Sequence, residues 1–119
     1  MNNYIKSTII LLFLDAIYIN AVKNHFSKLV NSIQKEPLKI NLYAVVACYI
    51  VLAFGFNYFI IKDNKSILDA FILGFVIYAV YDLTNMAVFK NWDIMTLVMD
   101  TLWGASLFGA TTYIVQKIN

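Results

Sequence analysis

Three of the seven acidic residues in this 119-residue chain, Asp15, Asp82 and Asp100, lie inside long apolar stretches. No lysine sits deep enough in those stretches to neutralise them. An acid at the centre of a membrane helix costs about 2.5–3.5 kcal/mol on insertion scales, so three such placements call for a reason. Carboxylates sharing a low-dielectric site cannot all ionise cheaply, and one or more is expected to hold a proton near neutral pH. That is the chemistry of a proton relay or a small-cation site. A second reading stays open beside it: a protonated aspartate hydrogen-bonds Tyr18, Asn85 or Trp103 across helices and only locks a bundle together.

The neighbours of the three acids favour a shared interior. Tyr18 follows Asp15 by three residues and Trp103 follows Asp100 by three, so each aromatic shares its acid's helical face. Tyr78, Asp82, Asn85 and Phe89 form one stripe, with Tyr81 and Thr84 beside it. Polar groups turned to lipid are costly, so this stripe should point inward. Catalysis has less support. His25 is the one histidine, and Ser7, Ser106 and Cys48 have no base at an arguable distance. No His or Cys spacing suits a metal, no cofactor is expected, and the single cysteine excludes an internal disulfide. The expectation is therefore a protein that is not an enzyme.

Four elements must position these residues. Hydrophobic residues make up 61% of the chain and charged ones only 13%, against roughly 45–50% and 25% in soluble domains. A soluble chain of this size could not cover its surface with so few polar groups. Disorder is excluded by the 16% aromatic content. The apolar residues gather into four spans, at about 4–22, 40–61, 67–89 and 94–116, each long enough for a helix to cross roughly 30 Å of hydrocarbon. Lipid offers no partner to backbone amides, so each span should be helical. The expected fold is all-α, a single domain over residues 1–119 with four transmembrane helices in one antiparallel bundle.

Both termini then lie on one face of the membrane, here side A, with the linkers at 23–39 and 90–93 on side B. Lysines divide almost evenly between the two sides, so the charge distribution sets no orientation. The linker at 23–37 reads either as a short amphipathic helix in the interface, with Phe26, Leu29, Val30 and Ile33 on one face and Pro37 closing it, or as a plain loop. Counted from the span ends, Asp15, Asp82 and Asp100 all fall roughly 9–11 Å below the side-B surface at 1.5 Å per residue. Small residues offer close helix approach: Ala70 and Gly74 on the third span, and Thr101, Ala105 and Gly109 on the fourth. The last three also form a candidate face for a homo-oligomer. A net charge of +2, without arginine or a basic cluster, argues against nucleic acid as a partner. The expected partners are the lipid bilayer, a second copy of the chain, and a proton or small cation.

The segments Tyr81-Asp82-Leu83-Thr84-Asn85 and Asp100-Thr101-Leu102-Trp103-Gly104, with Trp92 between them and Leu14-Asp15-Ala16 upstream, resemble an uncharacterised family of small membrane proteins. That family is catalogued as a domain of unknown function and occurs in bacteria and some large DNA viruses. The resemblance spans nearly the whole chain. It implies a four-helix architecture of inner-membrane type, with the three acids and Asn85 as signature positions, and it implies no activity. The absence of arginine from the loops departs from what such a family would show, and with it any shared orientation. On these grounds the expected function is a multi-pass membrane protein handling protons or a small cation through an acidic pocket, or else a structural or assembly component of a cellular or viral membrane.

Overall fold

The computed structural model of the chain describes residues 2–37 and 39–118, and these hold four long helices. They are α1 (Asn3–Gln34), α2 (Leu42–Phe56), α3 (Ile67–Val88) and α4 (Ile94–Lys117). A π-helical turn, Asn57–Ile61, carries α2 on towards side A. With that turn included, all four are long and apolar enough to cross a membrane.

Each helix starts on a side-chain cap that answers one of its unpaired amides. Asn2 accepts from the Ile5 N–H, Asn41 from Ala44, Ser66 from Asp69, and Asp93 from Thr96. The Asp93 cap is the shortest of these, at 2.7 Å, and it fixes where α4 begins on side B. At the other end of α1, Lys35 adopts a left-handed backbone (φ 63°) and its N–H closes on the Asn31 carbonyl. Pro37 follows, and the helix does not continue.

Residues 23–34 prove to be neither a separate interfacial helix nor a loop. They are the last part of α1, which runs without interruption to Gln34. No glycine or proline lies between Asn3 and Gln34 to stop it. Its apolar face also has somewhere to go within the protein: Leu29 is buried, and the Phe26 ring meets Trp92 edge-on at 5.9 Å. At 32 residues α1 is about 48 Å long, so its final turns stand clear of a hydrocarbon layer of about 30 Å on side B.

α3 and α4 form the tightest seam. A methyl group placed on Gly74 would strike the Gly104 backbone carbonyl, and one placed on Gly104 would strike the Tyr78 ring. Glycine at both positions is what lets the helices approach this closely. Ala70, Thr101, Ala105 and Gly109 are all buried, with Gly109 facing Ile67 and Phe71 of α3. The stripe at 101, 105 and 109 is thus packed within the chain, against α3. α4 packs on α1 as well, while α2 is peripheral: along the helix only Ala53 and Phe56 are buried.

The interior is divided by depth. In the side-A half, Leu11, Ala53, Phe56, Ile60, Ala70, Leu107 and Phe108 make an apolar core, with Phe56 and Phe108 edge to face at 4.9 Å. The side-B half holds the aspartates. Outward, the helices present apolar side chains such as Phe13, Phe54 and Leu83, as lipid requires.

Candidate functional site

α1 and α4 run antiparallel and exchange hydrogen bonds reciprocally. The Trp103 indole N–H of α4 donates to Asp15 Oδ1 of α1 at 2.8 Å. Three residues on, the Tyr18 hydroxyl of α1 donates to Asp100 Oδ1 of α4 at 2.5 Å. Between these two bonds the Tyr18 and Trp103 rings stack, with centroids 4.7 Å apart and planes within 3°. The i, i+3 spacing on both helices makes this possible, because it places acid and aromatic on one face of each helix.

Each end of the exchange is tied to another element. The Tyr49 hydroxyl of α2 donates to Asp15 Oδ2 at 2.5 Å. Asp100 interacts directly with the Asp82 carboxyl of α3, and Asp82 Oδ1 accepts the Trp92 indole N–H at 3.0 Å. One polar line therefore joins all four helices and the α3–α4 loop, from Tyr49 through Asp15, the Trp103–Tyr18 stack and Asp100 to Asp82 and Trp92. Each donor is a neutral ring group, so hydrogen bonds rather than ion pairs hold these carboxyls.

Asp15 bonds Trp103, which lies three residues along α4 from Asp100. The three acids meet pairwise: Asp82 with Asp100 directly, Asp15 with Asp100 only through the aromatic pair. Tyr18 is within electrostatic reach of all three. Among the described residues, no three His, Cys, Asp or Glu side chains come together around a point that could hold one metal ion.

Asp82 is fully buried, and its Oδ2 has no hydrogen-bond donor. The same is true of the buried Thr101 hydroxyl one residue along from Asp100. Above Asp82, towards side B, Trp92 is itself buried beneath the rings of Phe26, Tyr81 and Phe89, whose centroids lie 5.9, 6.3 and 6.3 Å from it. The short 90–93 connection is therefore more than a polar turn; it folds an indole back onto an intramembrane acid.

The remaining residues singled out from sequence fall in different places. Tyr78 is half-buried against Gly104 and Phe108, below the acid pair. Asn85 lies within hydrogen-bonding reach of the Tyr81 hydroxyl at the outer edge of α3, where Tyr81 is half exposed. Thr84 is exposed and stands apart from the line, whereas Phe89, 41% exposed, lays its ring against Trp92. The inward stripe of α3 is thus narrower than its periodicity suggests, because α1 and α4 cover only the Tyr78–Asp82 side.

Tyr49 and Trp92 were not identified as site residues by sequence reasoning. Tyr49 sits in an apolar run with no acid on its own helix, so nothing local marks it. Trp92 had a signal, a large aromatic in a four-residue connection ten residues after Asp82, but loop position gives no direction. His25 forms a third overlooked feature. Its Nε2 lies 2.9 Å from Thr96 Oγ1, and Thr96 is almost fully buried. The Thr96 hydroxyl and backbone N–H both bond Asp93, holding that carboxyl below its usual range, with the nearby His25 adding to the effect.

A second polar cluster lies in the side-A half. Ser7 donates to Asn57, and the Asn57 amide donates to Thr8 Oγ1 at 3.0 Å, at the first residue of the π-helical turn. It joins α1 to α2 and contains no titratable group.

Compared with known families, residues 1–116 match the model of a family described as a predicted membrane protein, DUF2177. No curated protein and no solved structure matches the chain.

Proposed function

The chain belongs to the DUF2177 family of predicted membrane proteins, and we propose that it handles protons, with Asp82 and Asp100 sharing one exchangeable proton. The carrying observation is the Asp82 carboxyl, fully buried beside a second carboxyl, with Oδ1 bonded to Trp92 and Oδ2 lacking a donor. Two carboxylates in contact away from water repel strongly, and one proton between them removes the repulsion and supplies the missing donor. Asp15, Tyr18, Trp103 and Tyr49 extend the line across the bundle. A proton suits this arrangement better than a cation, because the carboxyl oxygens point at ring donors rather than around a common centre.

The test is transport. Protein reconstituted in liposomes should dissipate an imposed pH gradient, and Asp82→Asn should abolish the flux while the fold is retained. No flux under any gradient contradicts the proposal.

One observation favours a second reading. Tyr49, Tyr18, Trp92 and Trp103 each bond an acid on a different element, which is what a purely fastening network would do. In that case the protein is a structural or assembly component of its membrane. Asp→Asn replacements would then lower thermal stability and leave partners and localisation unchanged.

A further inference from the structure

We propose that His25, through Thr96, is the group that passes protons between side-B water and the Asp82–Asp100 pair. This rests on the proton reading of that pair. The direct way from Asp82 to side B is closed by Trp92 and the apolar rings of Phe26 and Phe89 packed on it. The polar way lies alongside. His25 is half-buried, Nε2 is 2.9 Å from Thr96 Oγ1, and Thr96 is almost fully buried. Asp100 follows Thr96 by one turn on the same face of α4, with about 5–6 Å between their Cβ atoms. On α1, Tyr18, which donates to Asp100, lies two turns below His25 on its face. The four groups Thr96, Asp100, Tyr18 and His25 therefore line one strip of the α1–α4 seam.

The step balances as a proton transfer. The His25 imidazolium releases its Nε2 proton to Thr96 Oγ1 as the Thr96 hydroxyl proton leaves, through one water, to the Asp100 carboxylate. Imidazolium becomes imidazole, carboxylate becomes carboxylic acid, and Thr96 ends as the neutral hydroxyl it began as. The charged groups beside His25 are Asp93 at the start of α4, which shares the Thr96 hydroxyl, and the exposed Lys28 three residues along α1. The Thr96 hydroxyl turns from Asp93 to the water during transfer.

The readout is the rate at which the carboxyl pair takes up a proton after a rapid drop in pH, followed by infrared absorption of protonated carboxyl in protein held in lipid nanodiscs. His25→Gln should slow uptake by about 100-fold, the lower end for a positioned proton-transfer group, and added imidazole should restore it. Thr96→Val should slow it to the same degree without rescue by imidazole, because the missing hydroxyl lies beyond the histidine. Lys28→Gln should leave the rate unchanged. Uptake in both His25→Gln and Thr96→Val as fast as in the unaltered protein overturns the inference and leaves the carboxyl pair standing. An uptake signal that survives both Asp82→Asn and Asp100→Asn overturns the pair, and this inference with it.

Discussion

The indole N–H of Trp92 donates to Asp82 Oδ1 at 3.0 Å, which joins a four-residue loop to an acid inside the membrane. The bond is buried on both sides, and it gives the α3–α4 connection its shape. Trp92→Phe keeps most of the ring packing against Phe26, Tyr81 and Phe89 and removes the donor. It should destabilise the protein by about 1–2 kcal/mol, as expected for a buried hydrogen bond to a carboxyl left unmet. Unfolding in detergent measures this, and an unchanged midpoint would show that the bond contributes nothing.

The reciprocal exchange between α1 and α4 should behave as one unit. Tyr18→Phe and Trp103→Phe each remove one donor and disturb the stack they share. Their combined effect should differ from the sum of the single effects by about 0.5–3 kcal/mol, the range for residues in contact. Strict additivity in a double-mutant cycle would mean that the two bonds are independent.

At the α3–α4 seam, Gly74→Ala places a methyl group against the Gly104 carbonyl, which is backbone and cannot swing away. The helices must part, at about 1–3 kcal/mol, as in other overpacked interiors. Gly55→Ala is the matched control, since a methyl there meets nothing within 4 Å. It should be neutral or stabilising by about 0.5–1 kcal/mol, the usual gain of alanine over glycine inside a helix. Equal thermal stability of the two variants would remove close approach as the reason for glycine at 74.

Asp93 caps α4 outside the membrane, and its carboxyl is held below its usual range, first by the Thr96 hydroxyl and then by the Thr96 N–H. A depressed acid contributes stability that is fully present above its unfolded value of about 3.9 and is lost as pH falls through the lower folded value. Asp93→Ala should cost about 1 kcal/mol at neutral pH, the usual cost of losing a cap. Asp93→Asn should keep the cap and remove this part of the acid dependence. The check is the unfolding midpoint followed from pH 7 down to pH 3, where identical profiles for Asp93→Asn and the parent would contradict the assignment.

Helix number, span limits and the presence of interior acids were legible because hydropathy and length respond to the bilayer directly. Ile67–Val88 and Ile94–Lys117 fall within a residue of the spans read from composition. The course of residues 23–34 was less legible. Their amphipathic pattern suits a helix on the membrane surface as well as one packed on the bundle, and contacts such as Phe26–Trp92 and His25–Thr96 distinguish the two. At the site, the i, i+3 pairs Asp15–Tyr18 and Asp100–Trp103 were readable because both partners lie on one helix. Which pair bonds which is a matter of register between α1 and α4, and periodicity carries no register. Tyr49 was hidden for the same reason, since its partner Asp15 is 34 residues away on another helix.

Infrared spectroscopy of the protein in nanodiscs at neutral pH tests the shared proton most directly, by following the carbonyl band of protonated carboxyl. The unaltered protein should show one protonated carboxyl that exchanges with deuterium, and the band should be lost in Asp82→Asn and in Asp100→Asn alike. A band that persists in both variants, or none in the unaltered protein, would contradict a proton held between Asp82 and Asp100.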